Sequence, residues 1–112
     1  MKAVNLKQIP ETIVTHNPKV KKRVIFDKGY IPKLTTFGQA MLKPYQSIEP
    51  HKHDTMYEVF YIQKGRAMFI INEKRIILSK DDVISIEPGE IHAQKNPFSI
   101  PVTWLYFGIA ID

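Results

Sequence analysis

The chain has 112 residues and 13.0 kDa, which is room for one domain. It carries 16 Lys+Arg against 11 Asp+Glu, a formal charge of +5 with histidine neutral, and it has no cysteine. Disulfides, thiolate metal sites, iron–sulfur clusters, finger-type zinc and cysteine nucleophiles are thereby excluded.

The first 34 residues read as an N-terminal arm or strand, and residues 35–110 as a barrel, within one domain over 1–112. Residues 1–15 lack the apolar core and small-residue cleavage site of a signal peptide. No apolar run reaches the ~18–20 residues of a membrane helix. A cytoplasmic protein without a membrane partner is expected. Asn5–Glu11 is the one helical candidate, and Pro10 cuts it short. Thr15-His16-Asn17-Pro18 is a polar turn that should leave His16 in solvent. Lys22–Phe26 is the first strand. The basic residues of Val20–Phe26 fall on both faces of any strand, without interleaved stacking aromatics. They read as solubility and edge protection, and nucleic acid is not expected as a partner. The segment could also add a strand to a partner's sheet.

Further strands follow at Thr36–Leu42, Tyr57–Gln63, Arg66–Ile71, Arg75–Leu78, Asp82–Ile86, Ala93–Lys95 and Pro101–Ile109. Each is short and rich in β-branched and aromatic residues. Turn signals separate them at Lys64-Gly65, Asn72-Glu73-Lys74, Ser79-Lys80-Asp81, Pro88-Gly89 and Asn96-Pro97. Tyr57–Ile62 and Met68–Ile71 are nearly continuous apolar runs, the pattern of strands covered on both faces. Evenly spaced short strands with turns between them predict an all-β sandwich or barrel.

Chemistry-bearing residues concentrate in two places. In His51-Lys52-His53 a strand would point both imidazoles to one face, with Lys52 opposite. Glu58 opens an apolar run, where a carboxylate needs a cation or a proton to be tolerated. In Glu87-Pro88-Gly89-Glu90-Ile91-His92 a tight turn delivers His92 to the start of the next strand. A wrapped sheet would bring His92 from a neighbouring wall to the first pair.

The spacing of His51, His53, Glu58 and Gly65 resembles the first cupin motif. Pro88, Gly89, His92 and Asn96 resemble the second. The resemblance extends over roughly 36–109. Three positions depart from the family pattern: Tyr45 stands at a usual Gly, Asp81-Asp82 at a usual Gly-Asp, and Glu87 at a usual Pro. All are turn or strand-end positions. Tyr45 is read as narrowing the barrel mouth, and Glu87 as a charge near the rim.

The resemblance implies a double-stranded β-helix, the cupin jelly-roll barrel. It also implies one divalent transition metal (Mn, Fe, Ni, Co or Zn) held by His51, His53, Glu58 and His92. Four protein ligands leave about two open positions on an octahedral ion. A divalent ion with one carboxylate leaves a site charge of about +1, which favours an anionic oxygen: a carboxylate, an enolate or a catecholate. The expected function is that of a metal-dependent enzyme on a small oxygenated metabolite, with dioxygenase-type chemistry first. Isomerase, epimerase or decarboxylase chemistry and a non-catalytic sugar- or small-acid-binding module are the alternatives. Phe60 and Ile62 share strand parity with Glu58 and should face the lumen. Met41, Met68, Gln94, Trp104 and Tyr106 complete the candidate pocket. The family's habit of pairing barrels implies a homodimer, through apolar residues of Tyr57–Tyr61 and Leu105–Ile109.

Overall fold

The computed structural model describes residues 1–111. Ten strands run in chain order: β1 (Thr12–Val14), β2 (Asn17–Phe26), β3 (Leu34–Leu42), β4 (Ser47–His51), β5 (Met56–Lys64), β6 (Arg66–Ile71), β7 (Lys74–Ser79), β8 (Val83–Ile86), β9 (His92–Lys95) and β10 (Val102–Ala110). They form a six-stranded sheet, β1-β2-β3-β10-β5-β8, and a four-stranded sheet, β4-β9-β6-β7. Every pairing is antiparallel. The helical candidate shrinks to a 3-10 turn at Leu6–Gln8, capped by the Asn5 side chain.

Alternation within the strands places the core between the two sheets. On β5, Phe60 and Ile62 are buried, while Tyr57 and Tyr61 remain 45% and 38% exposed. On β6, Ala67 and Phe69 are buried and Met68 takes the other face. The outward face of the first run is thus partly exposed at Tyr57 and Tyr61, and that of the second is half-buried at Met68 and Ile70. Facing rings interlock across the interior. Phe60 meets Phe69 at 5.2 Å and Phe69 meets Trp104 at 5.7 Å, both edge to face.

Turn chemistry sets where the chain changes sheet. Gly65 has φ 79 and lies against the Pro101 carbonyl, so a side chain there would meet backbone. That lets β5 in one sheet hand over to β6 in the other. Asn72 and Glu73 both have positive φ (48 and 72) between the paired Ile71 and Lys74. This is the two-residue turn whose twist suits an antiparallel hairpin. Two of the departures from the cupin pattern fall at positive φ as well: Tyr45 at 68 and Asp81 at 72. A family glycine at such positions is a backbone requirement, and here non-glycine residues carry the strain.

The N-terminal segment differs most from expectation. β2 begins at Asn17, and Thr15-His16 alone joins it to the unanticipated β1. Pairings Lys21↔Met41, Lys22↔Ala40 and Arg23↔Gln39 seat β2 against β3 in this chain's own sheet, and the short β1 covers its other edge only up to Lys22. At its start β2 also meets the other sheet: Asn17 Nδ2 donates to the Ser47 carbonyl at 2.7 Å. β4 was the other strand not anticipated as a whole. Tyr45 is 74% exposed and outside the cavity lining, so it does not narrow the mouth; Glu87 is likewise exposed and outside it.

Candidate metal centre

Four side chains converge between the sheets. His51 comes from the last residue of β4, Glu58 from β5 and His92 from the first residue of β9. His53 comes from the loop beyond β4, because the strand ends at His51. Shared strand parity therefore does not align the two motif-one histidines; the loop does. A main-chain hydrogen bond from Gly89 N–H to the His53 carbonyl, 2.8 Å long, ties that loop to the Pro88-Gly89 turn. Asn72 grips the residue before His92, accepting from the Ile91 N–H at 3.0 Å and donating its own N–H to the Ile91 carbonyl at 2.8 Å. The buried Asn96 amide donates to the Leu42 and Ile100 carbonyls. This motif residue therefore holds the loop after β9 and is not among the clustered donors.

One donor atom from each of His51, His53, Glu58 and His92 lies within 4.8 Å of all the others. Glu58 Oε1 is 3.1 Å from His92 Nε2 and 3.4 Å from His53 Nε2. His51 Nδ1 donates to the Glu49 carbonyl at 2.8 Å, and His92 Nδ1 to the Glu90 carbonyl at 3.0 Å. A carbonyl only accepts, so each of these Nδ1 atoms carries the proton and each neutral ring offers its Nε2 lone pair to the centre. Glu58 Oε1 and His92 Nε2 are both buried, and their close approach is not a well-formed hydrogen bond. Two buried orphan atoms facing one another are costly unless something sits between them. A divalent cation satisfies both, and a nitrogen-rich set with one carboxylate suits first-row transition metals.

The electrostatics prepare two of the rings as ligands. Burial drives the His51 pKa down from 6.5 to about 4, against the hydrogen bond to Glu49 and with help from the nearby His92 and His16 rings. Burial also lowers His53, with Glu58 opposing. His92 goes the other way: burial alone would lower it, but Glu58 and the Glu90 carbonyl outweigh that and raise it.

A cavity of about 610 Å³ opens from this cluster. Of the expected pocket residues, Phe60, Gln94, Trp104 and Tyr106 line it. Ile62 faces the same side but is fully buried beneath it. Met41 and Met68 sit on the opposite faces of their strands, between inward-facing Ala40 and Leu42 and between Ala67 and Phe69, and do not line it. Gln94 Oε1 is a buried acceptor without a hydrogen-bond partner in the wall of this cavity. Burial, reinforced by the Glu58 charge, pushes the Tyr106 phenol up to about 12, so it stays a donor at neutral pH.

Several lining residues lie outside the expected set, and two of them, His16 and Lys22, bear on the chemistry. His16, in the β1–β2 turn, is exposed as expected, yet its ring stacks on His51 with centroids 4.0 Å apart. Lys22, read as surface charge, lines the cavity. Its parity with the fully buried Val20 was the available signal.

A model of the cupin domain matches residues 38–108. The chain belongs to the cupin family. Among curated relatives, this cupin is 33% identical over 64 residues to an oxalate-binding protein of Thermotoga maritima, covering 57% of this chain and 53% of that one. It is 32% identical over 79 residues to an uncharacterized HTH-type transcriptional regulator of Escherichia coli, covering 70% of this chain but 26% of the regulator. The cupin thus spans about a quarter to a half of the length of these relatives. Among solved structures, a predicted oxalate decarboxylase from Thermotoga maritima superposes with a TM-score of 0.90 at 23% identity, over 98% of this chain and 100% of that one. The polyketide cyclase RemF from Streptomyces resistomycificus superposes at 0.84 with 18% identity, over 97% and 79%. Such likeness at low identity establishes the double-stranded β-helix fold. No helix among the described residues is long and apolar enough to cross a membrane.

Proposed function

We propose that this cupin holds one divalent transition metal through His51, His53, Glu58 and His92 and acts there on a small oxygenated acid, by dioxygenase-type chemistry. The observation that carries the reading is the pair of buried, unpartnered atoms, Glu58 Oε1 and His92 Nε2, with two rings pinned so that Nε2 points inward. The bound ion would supply Lewis-acid polarisation of an anionic oxygen and a site for O₂. The chain's own groups do the rest. Phe60 and Trp104 give the ligand an apolar wall, Gln94 offers an acceptor, and the Tyr106 phenol offers a proton in a hydrogen bond.

A binding module that captures a small acid unchanged is the second reading. The resemblance to an oxalate-binding protein favours it. Oxygen uptake by the metal-reconstituted protein on catechols, 1,3-diketones and oxo-acids separates the two. Stoichiometric uptake with product formation supports turnover; a ligand bound tightly and recovered unchanged in air would remove it.

The outer face of the six-stranded sheet exposes Tyr57, Tyr61, Val83 and Ile109 together on β5, β8 and β10. We infer that this face pairs two copies of the chain, since an apolar patch rimmed by polar residues marks an association surface. Sedimentation should give a dimer that Tyr61→Glu dissociates. A stable wild-type monomer at micromolar concentration would end the idea.

A further inference from the structure

Lys22 is a cation on the inside of the barrel. It stands opposite Ala40, which is 4% exposed, and shares strand parity with Val20, which is fully buried. Ala40 in turn pairs with Trp104, so Lys22, Ala40 and Trp104 form one rung of the six-stranded sheet, and all three line the cavity. The side chain is partly buried, and none of the ion pairs among the described residues involves it. An ammonium normally lies along apolar surface with its head in water, or takes an acidic partner. Lys22, itself partly exposed, lines the same cavity that opens from the His/Glu cluster. Lys28 adds a second cation at the exposed edge of the same cavity. The remaining lysine of the lining, Lys52, is already paired with Asp54 at 3.5 Å.

We propose that Lys22 is the specificity-determining cation of the cavity, binding a second anionic group of the ligand away from the metal centre. The pocket then selects small acids with two anionic ends over monoacids. This rests on the metal-site reading above, which supplies the first pole. The ammonium gives a charge-assisted contact in a partly desolvated site, where such contacts exceed neutral ones. It recognises carboxylate or phosphate alike as a point charge.

The test uses the full chain reconstituted with Mn²⁺ or Ni²⁺, with metal content measured for every variant. Calorimetry compares acetate, malonate and the methyl phosphodiester of phosphoglycolate, the last two dianions at neutral pH, on wild type, Lys22→Gln, Lys22→Arg and Lys28→Gln. Wild type should bind at least one of the two dianions at least about tenfold more tightly than acetate, or ~1.4 kcal/mol. Which dianion wins tells carboxylate from phosphate at the far end. Lys22→Gln should erase that advantage while metal content holds and acetate affinity moves less than about twofold. Lys22→Arg should keep most of it, which guards against a folding artefact. Lys28→Gln, altering an exposed rim charge, should cost less. A preference unchanged in Lys22→Gln, or lost equally for acetate and dianions, would overturn the assignment. Absent metal uptake sinks the metal reading instead. Lys22 is then judged on the metal-free chain, where dianion binding lost in Lys22→Gln supports it and unaltered binding refutes it.

Discussion

His51→Ala and His53→Ala should each drop the metal content from about one ion per chain to a small fraction of that, with affinity falling more than about hundredfold. Loss of a partner that only orients a ligand already costs 10–100-fold, and removal of a ligand exceeds it. Both side chains are partly exposed at the mouth and neither belongs to the apolar core, so far-ultraviolet dichroism should keep its β signature. His92→Ala is a poorer experiment, because His92 is 1% exposed and its truncation also opens a hole. His16→Ala is the informative control. His16 stacks on His51 but is not among the four clustered donors, so it should retain the ion. Equal loss from His16→Ala would overturn the ligand assignment, as would full retention in both ligand variants.

Metal affinity should also fall with acid, in two stages. Each imidazole must give up its proton before it can donate a lone pair. His92 has its pKa raised above 6.5, so it is the first to compete. From near neutrality downward the apparent affinity should decline roughly tenfold per pH unit, one proton for one ion. His51 protonates only near 4, and His53 is also lowered, so a steeper decline should begin well below pH 6.5.

The metal-free protein carries opposed contributions to stability. The lowered His51 and His53 contribute fully above their unfolded value of 6.5, and that is lost as pH falls through their folded values, about 4 for His51. The raised His92 contributes below 6.5, and that is lost as pH rises through its folded value. Chelator competition across a pH series measures the first effect, and an affinity flat between about pH 7 and 5 would contradict it.

Much of this was legible in the residues because period-two patterning reports faces. Glu58, Phe60 and Ile62 share one parity, and the structure puts all three inside. The positions of Met41 and Met68 were not legible. Their neighbours Ala40, Leu42, Ala67 and Phe69 are apolar too, so both parities looked like core and hydrophobicity could not choose a face. β4 was obscured by Pro50 and a charged residue at Glu49, and the alignment of His51 with His53 was credited to a strand that ends between them. Lys22 was hidden in a basic run. Its parity with Val20 separates it from the lysine beside it, and its register against Ala40, a long-range fact, places it on the cavity side.

The tautomer pins of His51 and His92 use the same short device. Each ring donates to the carbonyl of the residue two positions earlier, Glu49 or Glu90. Those acceptors belong to the main chain, so the side chains at 49 and 90 can drift in evolution without turning a donor nitrogen away. Each half of the centre thus carries its own orientation in a three-residue cassette. A recombination or insertion between the halves would leave both rings correctly protonated, and would put at risk only the distance between them.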